Sequence, residues 1–214
     1  MSHTHEFDQT LITAAFTLAA ENGWGAVSVA SAARAASLDL AQARARFSGN
    51  TAILRRFGAL ADHTALLDFF PAATVRETLF DLLMRRFDDM GASRLGLAAL
   101  LRALPADPAT TMILTDATAR SMGWMLEAAG VSTSGFRGAM RVKGLVAVWL
   151  YAFRAFVGDD SPDLSATMAA LDRALSHAER AASWLESANS APKREPQPFP
   201  EPEDESFIGP SVAT

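Results

Sequence analysis

The stretch SVASAARAASLDLAQARARF, residues 28–47, decides how this chain is read. Ser28 has the hydroxyl needed to cap a helix start, and the alanine-rich run behind it reaches about Ala35. Ser37-Leu38 reads as a turn, and Asp39 as the cap of a second short helix ending near Arg46. Two short helices separated by three or four residues, behind a longer one, form the pattern of a helix-turn-helix. The longer helix lies upstream. Leu11, Ile12, Ala15, Phe16 and Ala19 fall on one face of a helix over about 6–22, and Gly23 supplies its stop.

Downstream of this stretch the pattern stays helical. A fourth helix is expected near 50–68, ending before Pro71. Thr74 and Glu77 form a capping box, in which each side chain satisfies the other residue's free backbone N–H, and the helix it opens runs to about Met90. Further helices are expected at about 93–104, 108–129 and 134–157. The last one takes Ser161 as cap, Pro162 in its first turn and Asp163 against the positive helix end, and runs to about Glu186. No run of alternating apolar and polar residues suggests a strand. The fold class is therefore all-α: an N-terminal three-helix bundle with a helix-turn-helix, then a larger helical part, about nine helices together.

Composition limits what such a chain does. Half of the 214 residues are hydrophobic and a fifth are charged, which excludes wholesale disorder. The absence of cysteine excludes disulfides, thiolate metal sites and cysteine nucleophiles. Formal net charge is −5, so coating nucleic acid by bulk charge is excluded while a local basic surface is not. The charge is uneven. Residues 1–63 balance to zero, whereas 188–214 hold a balance of −3 and six of the ten prolines, the composition of a disordered acidic tail.

The N-terminus has no basic region followed by an apolar run, so a cytoplasmic protein is expected. The most apolar stretch, Gly144 to Phe153, is about half of the roughly 20 residues a membrane span needs. The histidines, His3, His5, His63 and His177, show no metal-binding spacing, and no phosphate loop or nucleophile elbow is present. Catalysis, a metal and a cofactor are not expected.

The N-terminal residues are similar to the TetR-type transcriptional regulators. The likeness is carried by Ala14-Ala15, Leu18, Gly23, Ser28-Val29, Ala32-Ala33, Ala36-Ser37-Leu38-Asp39, Phe47 and Ile53-Leu54, with the spacing kept without a gap. Four features depart from the pattern: Ser37 stands at the turn glycine, Asp39 at the capping serine, where it caps equally well, Arg44 at the recognition-helix tyrosine, and Gly49-Asn50 where a lysine is usual. The resemblance implies a DNA-binding domain at 1–55, a ligand-binding and dimerisation domain at 56–187, and the tail at 188–214. It implies a palindromic double-stranded operator as partner, met by Arg34, Asp39, Gln42, Arg44 and Arg46. Arginine suits phosphate or the O6/N7 edge of guanine, and Gln42 suits adenine.

The C-terminal part is also similar to the TetR-fold accessory family of ubiquinone biosynthesis, lipid-binding proteins that do not repress genes. The residues concerned are Met122-Gly123-Trp124, Ala129-Gly130, Ser132-Thr133, Phe136, Arg141, Trp149, Tyr151 and Asp160-Ser161-Pro162-Asp163, with Asn22-Gly23-Trp24 nearer the start. This likeness implies a non-DNA-binding carrier of a polyprenyl or quinone intermediate.

Two expectations concern the C-terminal helices. Leu164, Met168, Leu171, Leu175 and Ala178 recur at spacings of four and three, a heptad-like stripe that in the resembled fold pairs two copies into a homodimer. The middle helices are rich in methionine and aromatics. Phe80, Phe87, Met122, Trp124 and Trp149 are the candidates for a pocket that takes an apolar small molecule or lipid effector.

Overall fold

The computed structural model describes residues 2–190. The acidic tail assigned to 188–214 lies almost wholly outside the described residues. Nine α-helices carry the fold among them: α1 (Ser2–Asn22), α2 (Val29–Ala35), α3 (Leu40–Arg46), α4 (Asn50–Leu66), α5 (Val75–Met90), α6 (Arg94–Ala103), α7 (Pro108–Ala128), α8 (Gly135–Val157) and α9 (Ser165–Ser190). The described residues form an all-helical fold, as the periodicity predicts.

Local chemistry sets most of the boundaries. Thr74 and Glu77 complete the capping box at the start of α5. Gly23 and Gly130 follow α1 and α7 with φ of 81° and 75°, a backbone region that L side chains rarely adopt. Helix α1 begins four residues before its expected start, α9 runs four residues past its expected end, and the start of α9 also differs. The last helix begins at Ser165, not Ser161, because the buried carboxylate of Asp159 organises the connection. It accepts from the amide and hydroxyl of Ser161, and from the amide and hydroxyl of Thr167 at 2.7 Å each. Leu164, with φ 52°, turns the chain into the helix.

The first helix is the hub of the N-terminal part. Phe7, Leu11, Ile12, Ala15, Phe16 and Ala19 form its buried stripe, against which α2, α4 and α6 pack. Helix α6 approaches so closely that a Cβ on Gly96 would lie 2.3 Å from the carbonyl oxygen of Phe16. Only glycine fits there.

Helix α4 starts beside the helix-turn-helix and continues unbroken into the C-terminal core, so the expected division at residue 55 falls inside one helix. There it meets α5 and α7. Asp62 of α4 pairs with Arg86 of α5, and Ser121 of α7 donates to Asp62 at 2.5 Å while accepting from Arg86. The guanidinium of Arg86 also lies 4.7 Å over the Trp149 ring. Burial pushes the Arg86 pKa down, opposed by Asp62. Helices α8 and α9 form an antiparallel pair, and α5 packs on α9 with Arg76 bound to Asp172 at 2.6 Å.

The centre of the C-terminal core is aromatic. Phe87 stacks on Trp149 with centroids 4.4 Å apart and touches Phe156 at 5.0 Å. Met122 and Met125 are fully buried beside them in the same cluster. No helix among the described residues is long and apolar enough to cross a membrane.

Candidate nucleic-acid interface

Each part of residues 28–47 folds for a local reason. Ser28 caps α2 and forms a capping box with Ser31, whose hydroxyl accepts from the Ser28 amide at 2.8 Å. The turn is closed by the amide of Leu38, which donates to Ala33 at 2.8 Å, and the amide of Ser37, which donates to Arg34 at 3.1 Å. Ser37 has φ 55°, so the turn takes the left-handed backbone a glycine adopts without strain, here carried by a serine. Asp39 caps α3 by accepting from the Gln42 amide at 2.7 Å. Ala43 and Phe47, 1% and 2% exposed, anchor α3 to the bundle.

Two further ties hold α3 in place. Asn50, at the start of α4, donates to the carbonyl of Val27 at 2.6 Å, joining the two ends of the motif. Asp8 of α1 is buried between Arg46 and Arg56, and each donates to it at 2.7 Å. Burial alone raises the Asp8 pKa. The hydrogen bonds and charges of the two arginines outweigh it and hold the carboxyl below its ordinary value. Arg46 in turn lies 5.7 Å from the centroid of the Phe7 ring.

The expected DNA-facing residues therefore separate. Arg34, Gln42 and Arg44 are exposed. Arg44 donates to the carbonyl of Ser48 at 3.2 Å, which directs its guanidinium toward the C-terminal end of α3. Asp39 is exposed, and its capping bond uses one carboxylate oxygen. Arg46 is corrected: its Nε is committed to Asp8 and its side chain is only 25% exposed, so it fastens α3 to α1 rather than reaching outward. Sequence reasoning missed Asp8, 38 positions away, and also Arg56, which shares that carboxylate. The one signal was an acid next to the apolar stripe of α1.

The other site expectations also need correction. Trp124 is 65% exposed, because the face of α7 that meets its neighbours carries Ser121, Met122 and Met125 instead. Phe87 and Trp149 are buried and stacked on each other, Met122 is buried in the same core, and Phe80 is half-buried against it. Leu171 and Leu175 are 0% and 4% exposed, turned into their own protomer against α8 and α5. Leu164 and Ala178 also pack against the core, so of that stripe Met168 alone is exposed, at 42%.

Other apolar groups of the C-terminal helices also face outward. On α8, Ala147, Leu150 and Tyr151 face solvent, with Leu150 and Tyr151 55% and 50% exposed. Arg173 of α9 donates to the Tyr151 hydroxyl at 3.3 Å beside them. Among the described residues no group of three or more His, Asp or Glu could hold a metal ion.

A short, outward-facing second helix of a helix-turn-helix, set on a larger helical body, defines the class of this fold. No family model and no curated protein matches the sequence. Among solved structures it is similar to the TetR transcriptional regulator from Nitrosomonas europaea, with a TM-score of 0.65, 20% identity, and coverage of 82% of this chain and 99% of that one. The chain has the TetR-regulator fold.

Proposed function

We propose that the protein is a homodimeric transcriptional regulator whose α3 enters the major groove of a palindromic operator. The observation that carries this reading is the outward set Arg34, Gln42 and Arg44. Arg34 stands exposed at the end of α2, and Gln42 and Arg44, an amide and a guanidinium with bidentate capacity, stand exposed on α3, which the Asp39 cap and the Asp8–Arg46 ion pair hold in place. Arg44, directed to the end of α3, suits a phosphate contact. The dimer supplies the second half-site, and we assign its contact to Ala147, Leu150 and Tyr151 of α8 with Arg173 of α9. An apolar effector acting on the C-terminal core remains part of the reading. It has to open the Phe87–Trp149 packing to enter.

The test is selection from a genomic fragment library with purified protein, followed by binding to the enriched duplex across salt concentrations. A palindromic site and a steep fall of affinity with salt are expected. Arg44→Ala is expected to weaken binding across sequences and to make the salt dependence shallower by about one phosphate contact. Failure to enrich any duplex at low salt defeats the reading.

One observation favours a second reading, a lipid carrier. Trp124, Phe136 and Met140, at 65%, 82% and 49% exposure, stand on α7 and α8, and Arg137, Arg141 and Lys143 are exposed on the same two turns of α8. Aromatic and basic side chains together suit an apolar chain with a polar head. Co-purified isoprenoid lipid in native mass spectrometry, with no enriched duplex, is its signature.

A further inference from the structure

The outward side of α3 has an apolar part that the operator reading does not use. Leu40, Ala41, Arg44 and Ala45 stand at i, i+1, i+4 and i+5, which places them on one helix face, and all four are exposed. Gln42 flanks that face. Leu40 is 44% exposed and is the first large apolar side chain in the described chain to be so; the next is Leu67. Leu40 is not what anchors α3, since Ala43 and Phe47 make that contact at 1% and 2% exposure. The face thus offers one leucine and two methyl groups, with a single cation at its far end.

In the major groove only thymine presents a methyl group, at C5, and apolar side chains recognise it by contact that removes both from water. Gln42 beside the strip matches the paired adenine, whose N6 and N7 take a bidentate amide. Resting on the operator reading above, we propose that α3 specifies thymine by its methyl group. Leu40, with Ala41 and Ala45, packs on the C5-methyls of A·T pairs that face the strip, while Arg44 holds the backbone. The ligand class is then a duplex with thymines at fixed places in each half-site, not a guanine-rich one.

The test changes the DNA by one group. A duplex selected from a randomised pool by the wild-type protein is resynthesised with uracil in place of each thymine, which keeps the base pairing and deletes only the methyls. Affinity is expected to fall by about three- to fivefold for each contacted methyl, compounded over two half-sites. Leu40→Ala, a change at an exposed position, is expected to bind the thymine duplex more weakly and to lose most of the thymine-over-uracil preference. It keeps the salt dependence of the wild type. Equal affinity of the wild type for both duplexes, with a steep salt dependence intact, overturns this inference and leaves operator binding standing. Absence of any duplex binding takes down the operator reading itself, and this inference with it.

Discussion

Asp8 shows how much a single side chain decides near the helix-turn-helix. Its carboxylate is buried, and it fixes the C-terminal end of α3 to α1 through Arg46 and the start of α4 through Arg56. Removing it frees both arginines into water, so the loss is that of two charge-assisted hydrogen bonds and not of a stranded charge. Asp8→Asn is expected to cost about 2 kcal/mol in urea unfolding at neutral pH. The pH dependence has a definite sign. The folded pKa lies below the ordinary value of 3.8, so the contribution is complete above about pH 4 and is lost as pH falls through the folded pKa. The stability gap between wild type and Asp8→Asn should therefore stay level from pH 6 to about pH 4 and narrow below it toward pH 3. A gap that stays constant across that range contradicts the ion-pair account. Because Asp8→Asn loosens the seat of α3, it should also lower duplex affinity more than its distance from α3's outward face suggests.

At the scale of elements, the close crossing of α1 and α6 rests on the missing side chain of Gly96. A methyl there meets backbone, which cannot swing aside, so Gly96→Ala must push the helices apart. A loss of at least about 1–3 kcal/mol is expected, read from thermal unfolding by circular dichroism. Gly144, with open space around its position, is the control, and alanine there should be neutral or slightly stabilising.

What the sequence revealed of these elements depended on range. The caps at Ser28, Asp39 and Thr74 were legible because cap and partner sit three residues apart. The start of α9 was not, since Asp159 acts on Thr167, eight residues ahead, across a turn that carries its own plausible cap. The Asp62–Arg86–Ser121 cluster joins three helices and left no local trace. Gln42 and Arg44 could be read as outward residues because the turn and cap fix the register of α3. The role of Arg46 could not, because its partner lies on another helix.

For the whole molecule, the informative misreading is the stripe on α9. A heptad-like pattern says that one face of a helix is covered, not what covers it, and Leu171 and Leu175 turn out to be covered by their own chain. Helix α8 carries apolar groups on two sides: Leu145, Val148, Trp149, Ala152 and Phe156 inward, Ala147, Leu150 and Tyr151 outward. The two kinds of site predict different failures. Leu171→Ala should destabilise the protein by about 2–5 kcal/mol with little effect on assembly of the folded fraction. Leu150→Glu should leave the fold intact and shift sedimentation from twice the chain mass to the chain mass. A wild-type protein that sediments as a single chain at micromolar concentration removes the dimer from the proposal.

The hydroxyl that Arg173 contacts belongs to Tyr151, the only tyrosine in the chain, and it is half open to solvent in the single protomer. The protein thus contains one phenol at the assigned contact and none elsewhere to confuse it. Nitration of that ring needs no engineered label. Its rate, followed by the absorbance of the product as the protein is diluted, becomes a footprint of self-association in the unaltered chain.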